Sequence, residues 1–248
     1  YGLFTTAAYF AGALYLWFYR KEMGFSKEQF LDFILSAVAG ALIGGKLGGL
    51  LLYYHGPWDD PWVVFRGGLS FYQGMWGTTL AIYLYCRTAG KSFPRIADYC
   101  AAALPLSHAI GRIGCLLNGC CYGKPANLPW AITFTDSLCR VPIQWRGVSL
   151  HPNQIYDMLG NLVIAGCLHI ALRSHVKSRR LPAGTVVLTY LLSYGVWRFW
   201  LESLRGDDPG RVHWLMTTAQ WASILNVGAA VLLLLRSGPP TQRLSSNP

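Results

Sequence analysis

The chain has 248 residues, of which 53% are hydrophobic and only 13% are charged, and its formal net charge is +10. Soluble domains carry about twice this charged fraction. A disordered chain would be poor in aromatic residues, which make up 14% here, and seven cysteines are too sparse for a disulfide scaffold. The composition therefore predicts an all-α polytopic membrane protein.

Seven apolar stretches approach the roughly 20 residues that a helix needs to cross about 30 Å of hydrocarbon. We therefore expect about seven transmembrane helices in a single integral membrane domain that covers residues 1–248. In chain order, the stretches are residues 1–19, 29–54, 72–86, 97–117, 155–172, 183–204 and 215–235. Because the chain begins with Tyr1 and not with Met, we expect further residues upstream. The first stretch lacks the features of a signal peptide.

The distribution of basic residues predicts the orientation of the bundle. If the seven stretches cross the membrane, the connections between them and the two chain ends lie alternately on its two sides. Of the 21 Lys and Arg residues, twelve lie on one side, six lie on the other, and three lie within the apolar stretches. Because cytoplasmic loops carry the excess of Lys and Arg, we expect the N-terminus in the periplasm and the C-terminus in the cytoplasm. The net positive charge then favours anionic lipids of the inner leaflet, and not nucleic acid.

Two connections on the predicted outer side are longer than the rest. Residues 55–71 and 119–154 are rich in Trp, Pro and Gly, and we expect them to fold together into a small periplasmic head. Residues 130–134, which combine aromatic and β-branched side chains, predict a short strand within it.

Ionisable side chains inside a span cost about 2.5 to 3.5 kcal/mol each on insertion scales, so they are functional candidates. In the fourth stretch, His108, Arg112 and Cys115 are spaced i, i+4, i+7 and share one helix face. The alternative is a tightly packed helix whose Arg112 reaches the outer interface. Lys46, in a run of small residues, could likewise face a cavity or reach the interface.

The sixth stretch carries a second polar face. Tyr194, Arg198 and Glu202 recur every four residues, and Arg205 follows one turn later. Arg198 and Glu202 could simply neutralise each other. If the arginines instead converge with Arg112, they form a phosphate site, because the guanidinium fork matches phosphate oxygens.

Three cysteines lie close together at the end of the fourth stretch. Cys115, Cys120 and Cys121 have the spacing C-x4-C-C, which is not the pattern of two separated pairs typical of zinc sites. A disulfide from Cys120 or Cys121 to Cys139 on the oxidising side and unbridged packing thiols remain as alternatives. We favour a metal site least, and we expect no cofactor.

The sequence resembles the prolipoprotein diacylglyceryl transferase family, which comprises bacterial inner-membrane enzymes. The resemblance extends almost from end to end. Its motifs, in chain order, are Tyr1-Gly2-Leu3, Gly67-Gly68-Leu69-Ser70-Phe71, Gly111-Arg112-Ile113-Gly114 with Asn118, Gly119 and Gly123, Leu128-Pro129-Trp130, His151-Pro152-Asn153-Gln154-Ile155-Tyr156, Tyr194, Arg198, Glu202 and Arg205, and Gln220 with Ser223.

The resemblance implies a seven-helix bundle with a lipid cavity that opens sideways to the bilayer. Separately, we expect the protein to be a monomer in the membrane. The implied reaction moves the diacylglyceryl group of phosphatidylglycerol to the lipobox cysteine thiol of a prolipoprotein, forming a thioether and releasing glycerol phosphate. Arg112 and Arg198 would hold the phosphate and Glu202 would hold Arg198. The implied substrate-binding residues are Tyr1, Ser70, Asn118, Gly123, Tyr194 and Arg205, and we expect Lys46 to join them if it faces the cavity.

Three positions depart from the family pattern. Tyr72, Cys115 and Cys120 stand where the family usually has His, Asn and Glu. A phenol with a pKa near 10 is a poor base at neutral pH, so Tyr72 is a weaker catalytic candidate, and His108 is expected to take its place. The departures leave two alternatives open: a divergent lipid-headgroup transferase, and a non-catalytic membrane subunit that keeps the fold and the lipid cavity.

Overall fold

The fold is given by a computed structural model, which describes residues 2–53, 70–178, 182–207, 212–213 and 215–236. These residues form seven helices whose bounds follow the predicted apolar stretches closely. They are α1 (Gly2–Tyr19), α2 (Lys27–Tyr53), α3 (Phe71–Thr88), α4 (Phe93–Asn118), α5 (Asn153–Ser178), α6 (Thr185–Ser203) and α7 (Thr218–Arg236). Hydropathy marks the apolar part of a helix only, so α4 begins before the predicted stretch and α5 ends after it.

Four of these helices are long and apolar enough to cross a membrane, judged by length and composition. The qualifying segments are Lys27–Leu51, Phe93–Asn118, Asn153–Ser174 and Thr218–Arg236. Large apolar side chains on several helices are exposed, as Leu35, Ile170 and Leu225 illustrate. Exposed apolar faces on long helices are what a lipid environment accommodates, so the chain is a membrane protein.

The chain divides into two compact units. One comprises residues 17–96, and the other comprises residues 1–16 together with 97–248. In the first of these, α2 packs on α3 through glycines: a Cβ added to Gly44 would lie 2.9 Å from the Cα of Gly77. Such close backbone approach needs small residues, as in many helix pairs within membranes.

The larger unit contains most of α4 and all of α5, α6 and α7. A buried carboxylate fixes the start of α6: the backbone N–H groups of Gly184 and Val187 donate to Asp98 of α4 at 2.7 and 2.9 Å. Gly184 has a φ of 99°, a backbone conformation that favours glycine. Because the first N–H groups of a helix lack partners within the helix, Asp98 supplies both an acceptor and a favourable charge.

The connection between α4 and α5 folds on a small core of its own. Strands β1 (Ile132–Thr133) and β2 (Ser149–Leu150) pair antiparallel, and a 3-10 turn occupies Ile143–Trp145. Tyr122, Val141 and Leu150 are buried beneath them. The strand predicted within residues 130–134 is confirmed. Most of the other predicted head segment, residues 54–69, lies outside the described residues.

A second hairpin precedes α7, where the sequence predicted helix from residue 215. Strands β3 (Val212–His213) and β4 (Met216–Thr217) pair antiparallel, and α7 begins only at Thr218. That start was therefore predicted a few residues too early. The reason is that Leu215 and Met216 are apolar, as helix residues would be, while Leu215 adopts a φ of 67° that a helix does not allow.

Candidate active site

A buried carboxylate joins the polar face of α4 to α5. Arg112 Nε lies 2.6 Å from Asp157 Oδ2, and His108 Nε2 lies 3.6 Å from the same oxygen. Asn161, one turn along α5, donates to the other Asp157 oxygen at 2.7 Å. The Asp157 side chain is 2% exposed, so this contact is held within the helix packing. The prediction that His108 and Arg112 share a face is confirmed.

The predicted pair on α6 is also present. Arg198 Nη2 lies 2.6 Å from Glu202 Oε2, and the Arg205 guanidinium approaches that oxygen at 3.6 Å. The Thr217 hydroxyl donates to the other Glu202 oxygen at 3.1 Å. Arg205 also forms a two-pronged pair with Asp207, with N···O distances of 2.5 and 3.0 Å. Glu202 therefore positions two arginines at once.

Aromatic contacts connect the faces of α4 and α6. The ring centroids of His108 and Tyr194 lie 5.5 Å apart, and Tyr194 stacks on Tyr190 at 5.6 Å. His108 thus contacts Asp157 on one side and Tyr194 on the other. Arg112 of α4 and Arg198 of α6 consequently belong to one polar site, and Arg205 joins it through Glu202.

The arginines of this site are balanced by carboxylates. Asp157, Glu202 and Asp207 pair with Arg112, Arg198 and Arg205. Each of these arginines therefore has a carboxylate partner among the described residues. An uncompensated buried charge is strongly destabilising, so buried arginines need such partners. Because a guanidinium has five N–H donors, these pairs use only part of the binding capacity of each arginine.

Three thiols lie at the end of α4, beside the Arg112–Asp157 pair and the Arg205–Asp207 pair. The Sγ atoms of Cys115, Cys120 and Cys121 lie within 4.8 Å of one another. Arg112 Nη1 is 3.8 Å from Cys115 Sγ, and Arg205 Nη2 is 3.8 Å from Cys121 Sγ. Hydrogen bonds from the Cys115 and Cys120 thiols and the charges of both arginines lower the pKa of the Cys121 thiol.

The disulfide considered between Cys139 and Cys120 or Cys121 is not formed. All seven cysteines lie in described residues, and no disulfide joins any of them. Gly119 and Cys121 have φ values of 68° and 60°, and this left-handed turn reverses the chain. Cys120 Sγ consequently contacts the carbonyl oxygen of Cys115 at 3.8 Å, back toward the helix end.

Backbone pairing holds this turn against the end of α6. Gly123 pairs with Arg205, Lys124 N–H donates to Leu204 at 2.9 Å, and Gly206 N–H donates to Tyr122 at 3.0 Å. A Cβ at Gly123 would lie 2.7 Å from the carbonyl oxygen of His151. Gly123, expected to bind substrate, therefore permits a close approach of backbones beside Arg205.

The other residues expected to bind substrate are distributed as follows. Asn118 ends α4, where its carbonyl accepts a hydrogen bond from the Arg140 N–H at 2.9 Å. Ser70 and Lys46 belong to the unit of residues 17–96; Ser70 is buried and its N–H donates to Gly45 at 2.8 Å. Tyr1 and the side chain of Tyr72 lie outside the described residues.

An apolar groove of about 820 Å³ lies between α5 and α6 on the faces next to the polar site. Trp130, Tyr156, Gly160 and Trp197 are among its lining residues. Trp130 Nε1 donates to the Tyr156 hydroxyl at 2.7 Å at one end. A Cβ at Gly160 would overlap the Trp197 indole, so this glycine lets the ring approach the α5 backbone closely.

Sequence reasoning missed Asp157, Asn161 and Asp207. The signal for Asp157 was available, because a carboxylate inside a predicted span is a functional candidate by the rule that singled out Arg112. Asn161 follows it by one helical turn. Asp207 lies outside the helices, two residues after Arg205, where the helical spacing that indicated the other pairs does not apply.

The chain is similar over most of its length to one family of known proteins. The family model described as prolipoprotein diacylglyceryl transferase matches residues 1–236. A phosphatidylglycerol–prolipoprotein diacylglyceryl transferase of Aromatoleum aromaticum is 33% identical over 233 residues, which cover 89% of this chain and 83% of that protein. Proteins of the same name from Idiomarina loihiensis and Clostridium tetani are 33% and 31% identical, covering 96% and 84% of this chain and 87% and 80% of those proteins. The chain therefore belongs to the prolipoprotein diacylglyceryl transferase family.

Proposed function

We propose that the protein transfers the diacylglyceryl group of phosphatidylglycerol to the lipobox cysteine thiol of a prolipoprotein. The observation that carries this proposal is a buried site in which Arg112–Asp157 and Arg198–Glu202 pairs are joined through His108 and Tyr194. The names of the relatives support it further. In the reaction the sulfur–carbon bond of a thioether forms, a carbon–oxygen bond of the glycerol backbone breaks, and glycerol phosphate leaves.

The protein acts as a multi-pass protein of the bacterial inner membrane. All seven helices span the bilayer, with the N-terminus in the periplasm and the C-terminus in the cytoplasm, as the excess of Lys and Arg on one side favours. The connection with its own small core, residues 119–152, forms the periplasmic head together with residues 55–71. The protein acts as a monomer. This placement puts the thiol cluster and Arg205 near the outer interface, where a translocated prolipoprotein arrives.

Arg112 and Arg198 bind the phosphate of the lipid headgroup. The guanidinium fork donates two parallel hydrogen bonds to phosphate oxygens, and negative charge develops there as the carbon–oxygen bond breaks. Donors that are already oriented stabilise such charge without reorganisation. The contacts at 2.6 Å with Asp157 and Glu202 supply that orientation.

His108 accepts the proton of the acceptor thiol. The attacking species must be the thiolate, so a base within the site is required. The imidazole lies between the Asp157 carboxylate and the Tyr194 ring, and the carboxylate stabilises the imidazolium that forms. Tyr72, the other candidate base, remains a prediction from the sequence.

The remaining residues position the two substrates. Tyr1, Asn118 and Tyr194 orient the lipid headgroup, and Lys46, Ser70, Gly123 and Arg205 complete its binding. The apolar groove between α5 and α6 receives an acyl chain. Its volume of about 820 Å³ falls in the range of about 300–1,000 Å³ that is usual for ligand pockets.

The test is a reconstitution with phosphatidylglycerol vesicles and a lipobox peptide, followed by mass spectrometry of the peptide. We expect the mass of a diacylglyceryl group to be added, and Arg112→Ala to lower the rate by about 100-fold or more. Arg173→Ala, which changes an exposed arginine near the end of α5, is the matched control. Folded protein that leaves the peptide unmodified in the presence of the lipid would overturn the proposal.

A further inference from the structure

The thiol cluster at the end of α4 is a candidate binding site that is separate from the phosphate site. Cys115, Cys120 and Cys121 place three sulfur atoms within 4.8 Å of one another. Cys115 is buried, while the other two are half-buried. No disulfide consumes them, and the phosphate chemistry proposed above leaves all three thiols unused.

We propose that Cys115, Cys120 and Cys121 bind one thiophilic divalent cation of the Zn²⁺ class, whose open fourth position takes the acceptor thiol. The second half of this inference rests on the proposed function, whereas the three-thiolate site does not. Three protein ligands with one open position are the usual arrangement of catalytic zinc, in contrast to the four ligands of structural zinc.

The geometry of the cluster fits this cation. Zinc–sulfur bonds of about 2.3 Å in a tetrahedron place the sulfur atoms about 3.8 Å apart. The observed sulfur–sulfur separations are at most 4.8 Å. Each sulfur therefore needs to move by less than about 1 Å to reach the tetrahedral spacing, and small changes in side-chain torsion angles allow this. The backbone that carries the ligands is already fixed, because Gln154 Nε2 donates to the carbonyl oxygen of Cys120 at 2.8 Å.

The charges around the cluster fit a thiolate-bound cation as well. A divalent cation with three thiolates carries one net negative charge, and the acceptor thiolate adds a second. Arg112 and Arg205 each place a guanidinium nitrogen 3.8 Å from one of the sulfurs. N–H groups directed at ligand sulfur are a usual outer-shell feature of thiolate sites. Both guanidinium groups have N–H donors beyond those that face their carboxylate partners, and these donors can stabilise the bound thiolates.

Coordination would also prepare the acceptor for attack. A thiol bound to such a cation is deprotonated outright, and its proton passes to His108. The bound sulfur then attacks the glycerol carbon, the carbon–oxygen bond breaks, and the electron pair leaves on the glycerol phosphate. No oxidant or reductant is needed, since neither the sulfur nor the cation changes oxidation state.

Binding can be measured without turnover by titrating the reduced, detergent-solubilised protein with Co²⁺ alone. We expect one Co²⁺ per chain with the visible bands of tetrahedral cobalt and thiolate-to-cobalt charge transfer, which Zn²⁺ abolishes by displacement. Cys115→Ser and Cys121→Ser should each weaken binding by at least about 100-fold. Cys167→Ser, which changes an exposed cysteine of α5, should leave the titration unchanged. The absence of these bands in folded, reduced protein, or their persistence in Cys115→Ser, would overturn the site.

A second measurement covers the case in which a variant fails to fold. Alkylation of the unaltered protein with and without Zn²⁺, counted by mass spectrometry, should differ by three protected thiols at Cys115, Cys120 and Cys121. Protection of any other set, or equal labelling in both samples, would overturn the site. A disulfide within the cluster that cannot be reduced without unfolding the protein would do the same.

The role of the fourth position has its own test. Adding a lipobox peptide to the Co²⁺ form should shift the charge-transfer bands, whereas the same peptide with Ser in place of its Cys should not. Equal spectra with both peptides would contradict the acceptor role and leave the three-thiolate site standing. A shift with the Cys peptide but no transfer under any condition would refute the proposed function and not the cation site.

Discussion

Replacing Asp157 by Asn would remove a buried negative charge and keep the shape of the side chain. Arg112 would lose the charged partner that lies 2.6 Å from its Nε, and the Arg112 side chain is only 14% exposed. Removing one partner of a buried ion pair costs about 3–5 kcal/mol. If about 3 kcal/mol of this appears as lost orientation of the guanidinium in the transition state, kcat/KM falls by roughly 100-fold.

A double-mutant cycle tests this reasoning with the vesicle and peptide assay. Because Asp157 acts through Arg112, Asp157→Asn should cost little further activity in a protein that already carries Arg112→Ala. Asp157→Glu should recover part of the loss, and Asp136→Asn, in the exposed head, should cost nothing. Losses from Asp157→Asn and Arg112→Ala that multiply in the double variant would refute the assignment of Asp157 as a positioning residue.

Three further predictions follow from the same contacts. Glu202→Gln should lower kcat by about 100-fold, since both arginines near it lose a buried partner; an unchanged kcat would contradict this. Gly160→Val should raise the KM for phosphatidylglycerol severalfold, because the added side chain displaces Trp197 into the groove. Steady-state kinetics at several lipid fractions would detect this change, and an unchanged KM would argue against acyl-chain binding in the groove. Gly77→Val should lower the unfolding temperature in detergent by several degrees, because its Cβ would overlap the carbonyl oxygen of Gly40 on α2. Gly166→Val, whose Cβ would have no neighbour within 4 Å, should not.

The helices could be predicted from the sequence because hydropathy and helical period determine them locally. The same period brought His108 and Arg112 to one face, and it paired Arg198 with Glu202. The position of Asp157 inside a predicted span marked it as a candidate, but its partner Arg112 lies on another helix, and no single stretch of sequence contains that contact.

The thiol cluster illustrates a second reason why part of the site could not be predicted from the sequence. The spacing C-x4-C-C predicts no metal site by itself, and only the left-handed turn at Gly119 and Cys121 brings the three sulfurs together. The pairs of Arg112 with Asp157 and of Arg205 with Asp207 were not predicted either, because they depend on how the chain folds around the helix ends and between helices.

The most direct test of the transferase account is to measure both products of one reconstituted reaction. Phosphatidylglycerol labelled in its headgroup and a lipobox peptide should give glycerol phosphate and diacylglyceryl-modified peptide in equal amounts, and neither product should form when the peptide Cys is replaced by Ser. Release of glycerol phosphate without modified peptide, or modified peptide that retains the phosphate, would contradict the transfer of a diacylglyceryl group to the thiol.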